Sequence, residues 1–207
     1  MLRSEATSPA DLDELGSKSV FINVPFDVSY EPLFVTLVGA LTYLGHTPRC
    51  VLEVQETGQG RLARIFGLIG SCRMSFHDVS RVGTPARFNM PFELGLACAV
   101  SLSGAKHDII VMDAKPYRLD RILSDYKGRD PLIHYGRCDD LVTAVLDVFA
   151  AKALPPVRDV VDATQHLRRA AGHLKQDFRS ATVFRPTIFR SLFAAATEIG
   201  RTRGFIA

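Results

Sequence analysis

Short apolar runs alternate along this chain with longer segments in which apolar residues recur every three or four positions. The short runs predict buried strands, and the longer periodic segments predict helices with one apolar face. The predicted strands cover residues 19–24, 47–52, 73–78, 108–112 and 131–135. The predicted helices that follow the first, second, third and fifth strands cover residues 30–44, 60–71, 89–97 and 140–152. Strands that alternate with helices in this way are typical of β-α-β units and a parallel sheet.

Five strands in this alternation predict an α/β protein with a flavodoxin-like, five-stranded parallel sheet and a C-terminal helical extension. In such sheets ligands bind outside the carboxyl ends of the strands, at the point where the strand order reverses. The loops expected to border that crevice cover residues 25–30, 53–60 and 78–93. The working surface of the protein is therefore expected at this edge of the sheet.

Local signals predict where several helices begin and which faces they bury. Ser29 is expected to be the N-cap of the first helix, and Gly45 is expected to end it. Asn89 can cap the third helix or offer its amide to a ligand. The apolar face of the second helix is expected to consist of Leu62, Ile65, Phe66 and Ile69.

The chain is expected to divide into three parts. These are a flexible N-terminal segment (residues 1–18), an α/β domain (19–154) and a basic helical extension (155–207) that begins at Pro155-Pro156. Residues 158–207 contain nine Lys and Arg against four Asp and Glu. This excess is expected to be a solvated helix face, so a nucleic-acid partner is not favoured.

Two helices are predicted in the extension, at residues 159–176 and 187–203. Their apolar stripe must be buried somewhere, and it contains Ile188, Leu192, Phe193 and Ile199. Because the sheet already has helices for both faces, part of the stripe is expected to pack against a second copy of the chain. The expectation is a homodimer with two-fold symmetry.

Composition and motifs disfavour several other classes of protein. The cysteines lie far apart without a Cys-x-x-Cys pair, so they are expected to be reduced thiols of a cytoplasmic protein, with no metal site. The longest apolar run, residues 33–44, is shorter than the roughly 20 residues that span a bilayer, so neither export nor a membrane partner is expected. The chain lacks a P-loop, a dinucleotide-binding glycine fingerprint and a Ser-His-Asp elbow, and no cofactor is predicted.

Glu93 is the main candidate for chemistry. It falls in the first turns of the predicted third helix, where a carboxylate can face a ligand held over the sheet. The alternative is a surface carboxylate that interacts favourably with the helix dipole. Asp78, which ends the third strand, is a second candidate, and its alternative is a turn-forming aspartate that binds the following backbone.

The order of several short segments resembles the nucleoside 2-deoxyribosyltransferase family and, more distantly, the TIR domains that cleave NAD. The segments that carry the resemblance are Val20-Phe-Ile-Asn-Val-Pro-Phe26, Asp78, Gly83-Thr84 and Phe92-Glu93-Leu-Gly-Leu-Ala97, followed by an Asp-Ile-Ile-Val strand. The resemblance covers roughly residues 19–113. It departs from the family where Asn23-Val24-Pro25-Phe26 replaces a frequent Gly-Pro-Phe loop, and where the loop before the third helix is longer and more basic.

The resemblance implies cleavage or transfer of an N-glycosidic bond, with Glu93 as nucleophile or as stabiliser of an oxocarbenium-like transition state. Asp78 would orient the ribose hydroxyls or Glu93. The substrate-holding loop after the first strand would contain Asn23, Pro25, Phe26, Asp27 and Tyr30.

Several of these side chains have alternative roles. Phe26 would stack on a base or belong to the core, and Tyr30 would hold base or sugar or pack at the start of the helix. Arg81 and Arg87 would contact a phosphate or pyrophosphate, or else be solvated surface residues.

Two hypotheses of different classes remain at this stage. The first is an enzyme that acts on the N-glycosidic bond of a nucleotide or an NAD-like dinucleotide. The second is a non-catalytic nucleotide-sensing or protein-interaction domain that keeps the same crevice. Release of free base from a nucleotide would distinguish them.

Overall fold

The computed structural model describes residues 18–54, 60–81, 88–126, 130–150 and 153–207. Within these ranges the strands are β1 (Ser19–Asn23), β2 (Thr47–Arg49), β3 (Met74–Asp78), β4 (Asp108–Asp113) and β5 (Leu132–Ile133). The α-helices are α1 (Glu31–Tyr43), α2 (Arg61–Gly70), α3 (Asn89–Leu102), α4 (Leu119–Ile122), α5 (Cys138–Val148), α6 (Val157–Asp177) and α7 (Pro186–Thr202). Short 3-10 turns occur at Val28–Tyr30, Val51–Glu53 and Ser124–Tyr126.

The five strands form one parallel sheet in the order β2-β1-β3-β4-β5. This is the flavodoxin-like order, and it confirms the predicted α/β fold with its C-terminal helices. The chain forms β2 on one side of β1 and then returns to form β3 on the other side. The strand order therefore reverses between β1 and β3, and the carboxyl ends of these strands are where a ligand site is expected.

Strands β2 and β5 are each three residues shorter than the sequence predicts. The second ends at Arg49 because the chain turns at Val51–Glu53. The Glu53 carboxylate holds that turn, since it accepts the Cys50 N–H at 2.9 Å and pairs with Arg49 at 2.8 Å. The fifth strand contains only Leu132 and Ile133, because His134 already begins the next turn.

Both predicted N-caps are wrong, whereas Gly45 follows the end of α1 with φ at 80°, as predicted. Ser29 lies inside the Val28–Tyr30 turn, and Tyr30 is the residue that precedes α1. The Ser29 hydroxyl instead accepts a hydrogen bond from Arg81. Asn89 is the first helical residue of α3, and Phe88 holds the cap position without a side-chain hydrogen bond.

The predicted apolar face of α2 is only half buried. Ile65 and Ile69 are buried, whereas Leu62 and Phe66 are 50% and 44% exposed. The sheet and α3 cover one narrow stripe of this short helix, so the apolar period alone overestimates the buried face. On the other face of the sheet α1 is buried along almost its whole length.

The helices of the extension pack against their own chain. Both α6 and α7 contact α1, and they share its hydrophobic core. Ile188 and Leu192 are fully buried there, and Ile199 packs against the same core. Because α1 covers most of the stripe, its burial needs no second copy of the chain, and the homodimer stays a prediction without this support.

Glu31 ties the extension to α1 through a buried ion pair. Its carboxylate accepts hydrogen bonds from Lys175 Nζ at 2.7 Å and from the Val183 N–H at 2.9 Å. Burial disfavours the charged form, but the hydrogen bonds from Lys175, Thr182 and Val183 outweigh it and lower the pKa of Glu31. A carboxyl whose pKa is lower in the folded protein stabilises it above the ordinary pKa, and the effect is lost as pH falls.

Replacing Glu31 by Gln is expected to lower the free energy of unfolding by about 1.5–3 kcal/mol at neutral pH, because Lys175 loses its charged partner. The difference from wild type should shrink as pH falls below the ordinary glutamate pKa of 4.5. Urea unfolding at several pH values measures this difference in stability. Glu198→Gln, an exposed carboxylate of α7, is the matched control, and a pH-independent loss for Glu31→Gln would contradict the ion-pair explanation.

The described residues also bear on the cysteines, on metal binding and on membrane-spanning helices. All four cysteines are free, with Cys50 and Cys72 buried and Cys98 and Cys138 half-buried. Across the described ranges, no group of three His, Cys, Asp or Glu side chains is placed to hold a metal ion. None of the helices in those ranges is both long and apolar enough to cross a membrane.

Candidate functional site

A pocket of about 200 Å³ opens at the carboxyl end of β1. It is lined by Ile22, Asn23, Val24, Pro25, Phe26, Val51, Arg61, Asn89, Met90 and Glu93. The loop after β1 forms one wall, and the first residues of α2 and α3 form the others. The pocket thus lies at the edge of the sheet where the topology predicts a ligand site, and we call it the Glu93 pocket.

Glu93 lies in the second turn of α3 and is only 7% exposed. Burial raises the pKa of its carboxyl to about 7, and the positive charge of Arg61 only partly opposes this shift. The prediction that Glu93 faces a crevice over the sheet is confirmed, and its alternative as a fully solvated surface carboxylate is wrong. A carboxyl with this pKa can exchange a proton near neutral pH, which is typical of catalytic acids and bases.

Asn23 links the end of β1 to β3 and α3. Its amide nitrogen donates to the Met90 carbonyl at 2.9 Å and lies 3.0 Å from Nδ1 of His77. Burial, and then the nearby His107, lower the pKa of His77 to about 3, so His77 is neutral and its Nδ1 accepts. Among the described residues the buried Asn23 Oδ1 has no hydrogen-bond partner. The Asn23 amide is therefore held at the pocket wall by its contacts with Met90 and His77, and its Oδ1 is itself inaccessible.

Phe26 lies between the Glu93 pocket and the extension. Its ring stacks on Phe184, which joins α6 to α7, with 4.8 Å between centroids and 21° between planes. It also meets Phe34 of α1 edge-on at 6.2 Å. Phe26 thus packs against the core, as one alternative from the sequence expects, and it also lines the Glu93 pocket. Stacking of Phe26 on a base stays a prediction.

Asp78 belongs to a different group of residues. Its carboxylate accepts the Tyr30 hydroxyl at 2.5 Å, the Ser80 N–H at 2.7 Å and His134 Nε2 at 2.8 Å. His134 Nδ1 accepts the Gly136 N–H, so Nε2 carries the proton that is donated to Asp78. We call these buried residues the Asp78 network.

The sequence predicts Asp78 and Tyr30 at the same pocket as Glu93, but neither residue lines it. Tyr30 turns inward over the end of β3 and becomes the donor that Asp78 needs. Burial, and then the charge of Asp78, raise the pKa of Tyr30 well above its ordinary value, so the hydroxyl stays protonated. The Ser80 N–H bond is the local backbone contact that the turn-forming alternative for Asp78 expects.

Among the other predicted site residues that the structure describes, Asn89 lines the Glu93 pocket, whereas Asp27 and Arg81 do not. Arg81 is half-exposed and connects the loop after β3 to the loop after β1, through Ser29 at 2.5 Å and Asp27 at 3.7 Å. Asn89 is exposed at the mouth of the Glu93 pocket. Arg87 lies outside the described residues. Contact between these arginines and a phosphate stays a prediction.

Sequence reasoning missed Arg61 and His134. Arg61 opens α2 and lines the Glu93 pocket. It follows residues 53–60, which the sequence predicts at the crevice, so Arg61 could have been proposed from its position. His134 ends β5 at the same edge of the sheet, but a two-residue strand gives a weak signal.

The class that fold and site define is a flavodoxin-like α/β protein with a buried carboxyl at the switch between β1 and β3. The chain matches no protein-family model, no curated protein and no solved structure.

Proposed function

We propose that this protein cleaves or transfers the N-glycosidic bond of a nucleotide or an NAD-like dinucleotide in the Glu93 pocket. The observation that carries the proposal is the buried Glu93 carboxyl, with a pKa of about 7, opposite the rigid Asn23 amide at the switch point of the sheet. A desolvated carboxylate interacts strongly with positive charge that develops on a sugar. The resemblance to deoxyribosyltransferases supports the same chemistry.

In this reaction the bond between the anomeric carbon and the base nitrogen breaks, and its electron pair leaves with the base. A neutral base takes a proton as it leaves, whereas a cationic nicotinamide leaves without one. The ionised Glu93 stabilises the cationic sugar or forms a bond to its anomeric carbon. Water or a second base then attacks that carbon and completes hydrolysis or transfer.

Other residues of the Glu93 pocket suit parts of such a substrate. Arg61 can pair with a phosphate, and Phe26 offers an aromatic wall to the sugar or base. A pocket of about 200 Å³ accommodates the reacting sugar and leaves the rest of a dinucleotide to extend past Asn89 at the rim.

The purified protein is expected to release free base from NAD or from a member of a panel of nucleoside monophosphates, as measured by chromatography. Incubation with and without a second free base separates transfer from hydrolysis. A protein that binds none of these compounds in calorimetry and releases no base would contradict the proposal. Binding without base release would favour the non-catalytic alternative.

One observation favours that alternative. Four exposed apolar side chains lie where two contacting helices start at the Glu93 pocket, namely Leu62 and Phe66 of α2, Phe92 of α3 and Phe88 just before α3. Exposed apolar side chains in such number on neighbouring helices are typical of surfaces that bind partners. A nucleotide-sensing domain would use such a surface to bind a partner protein according to whether the pocket holds a nucleotide.

A further inference from the structure

The Glu93 carboxyl is buried, but none of the described residues holds it by a hydrogen bond. Burial and the charge of Arg61 set its pKa, and no hydrogen bond contributes. The position of the carboxyl therefore depends on where the first turns of α3 lie. The start of this helix has no capping side chain, because Phe88 holds the cap position without a side-chain hydrogen bond. Another contact must fix the start of α3.

That contact comes from the end of β1. The Asn23 amide nitrogen donates to the Met90 carbonyl at 2.9 Å, and Asn23 is only 2% exposed. Met90 precedes Glu93 by three positions, which is less than one turn of the helix. The hydrogen bond from Asn23 thus ties the part of α3 that carries Glu93 to the sheet.

His77 determines how the Asn23 amide is turned. Asn23 and His77 are paired neighbours of the parallel strands β1 and β3, so their side chains lie on the same face of the sheet. Nδ1 of the neutral His77 accepts from the Asn23 amide nitrogen at 3.0 Å. A reversed amide would turn its oxygen toward two acceptors, the Met90 carbonyl and His77 Nδ1. The amide therefore has one favourable orientation, which is the one that holds α3.

Packing alone does not explain a polar pair at this place. Among the described residues, neither Asn23 Oδ1 nor His77 Nε2 has a hydrogen-bond partner, although both atoms are buried. Unpaired buried polar atoms destabilise a fold, and apolar side chains of similar shape avoid this penalty. The surroundings suit an apolar pair, since the Phe21 ring lies 6.1 Å from the His77 ring. What Asn23 and His77 hold in place is a better explanation for them.

We propose that Asn23 and His77 are positioning residues, which fix the first turn of α3 so that the Glu93 carboxyl stays buried at its pocket. This inference rests on the proposed function, because it treats Glu93 as the reacting group. Asn23 then acts through Glu93, which differs from the substrate contact expected from the sequence. The other titratable groups that influence or surround Glu93 are Arg61 and Cys50, and burial raises the pKa of the Cys50 thiol, so it is neutral.

The pKa of Glu93 in the folded protein is the first readout, and it needs no substrate. Melting temperatures with and without Glu93→Gln, measured from about pH 4 to pH 8, differ increasingly until the folded protein is ionised at Glu93. In the wild type this difference is expected to level off near pH 7. Asn23→Ala and His77→Leu are expected to lower that point by about one pH unit or more, because a displaced α3 lets water reach the carboxyl.

Two further variants separate positioning from general loosening of the fold. Ser75→Ala is the matched control, since buried Ser75 also lies on β3 and its hydroxyl is 2.8 Å from Nε2 of His107. It should leave the levelling point near pH 7. His77→Gln keeps an acceptor for Asn23 and should stay closer to wild type than His77→Leu. A levelling point unchanged in both Asn23→Ala and His77→Leu, or lowered equally in Ser75→Ala, would overturn the proposal.

Base release is the second readout. Asn23→Ala is expected to lower kcat about tenfold or more with little change in KM, and to move the pH profile in the same direction as the levelling point. A raised KM with unchanged kcat would show that Asn23 binds the substrate and would overturn its positioning role. A wild-type protein that releases no base would contradict the proposed function alone, because the melting temperatures still decide the role of Asn23 and His77.

Discussion

Replacing Glu93 by Gln is expected to lower the rate of base release by at least about a hundredfold, because the amide cannot carry the negative charge that the reaction needs. In the wild type, activity that depends on the ionised carboxylate should rise with pH through about 7, the pKa of Glu93. Initial rates of base release across this range measure both effects.

The same substitution is expected to stabilise the fold at high pH. The ordinary pKa of this carboxyl is 4.5 and its pKa in the folded protein is about 7, so the folded state binds more protons between these values. Stability conferred by the protonated form is therefore lost as pH rises through this window. Near pH 8 the ionised Glu93 lowers the free energy of unfolding by roughly 3 kcal/mol, and Glu93→Gln should restore this amount. Near pH 4 the two proteins should have the same stability.

Glu198→Gln is again the matched control, since it removes an exposed carboxylate far along the chain in α7. It should change neither turnover nor the pH dependence of stability. Full turnover in Glu93→Gln would remove the basis of the enzyme hypothesis. A stability difference that does not depend on pH would show that the carboxyl is not desolvated as described.

Replacing Asp78 by Asn is expected to lower the free energy of unfolding by about 3 kcal/mol or more. The Asp78 carboxylate is fully buried and accepts three donors, from Tyr30, Ser80 and His134. An asparagine amide turns a donor toward one of these donors and leaves buried polar groups unpaired. Asp177→Asn, an exposed position at the end of α6, is the control.

The same variant separates the two roles of Asp78. If it supports the fold, base release by the folded fraction should stay close to wild type, and Tyr30→Phe should show a smaller loss of stability in the same direction. If Asp78 acts on the substrate, turnover falls while the midpoint of unfolding stays in place. Urea unfolding and initial rates on the same samples decide between these outcomes.

The sequence predicts the sheet and the position of Glu93 because those depend on local period. Strand β1 has an apolar run at Val20–Ile22, and β3 alternates apolar with polar residues. A carboxylate a few residues into the helix after β3 must lie near the carboxyl ends of these strands. Burial of Glu93 follows less directly. Glu93 is buried because the loop after β1 and the start of α2 pack against the start of α3. The apolar period of α3 does not indicate either of these contacts.

The separation of Asp78 from the Glu93 pocket depends on side chains that are far apart in sequence. Tyr30 and His134 lie 48 and 56 residues from Asp78, and only the folded chain shows that both turn toward it. The position of the extension also depends on contacts between residues that are far apart in sequence. Its apolar stripe indicates burial, but the partner could be found only when α1 proved apolar around most of its circumference.

The stack of Phe26 on Phe184 has a consequence for how this protein can evolve. The residue that shapes one wall of the Glu93 pocket is held by a linker almost 160 positions later in the chain, outside the strands and loops that build the pocket. Substitutions in that linker can therefore reshape this wall by tilting one ring, with Glu93 and Asn23 left in place. For the proposed function, selection could then adjust ligand preference from a distant segment without changing Glu93.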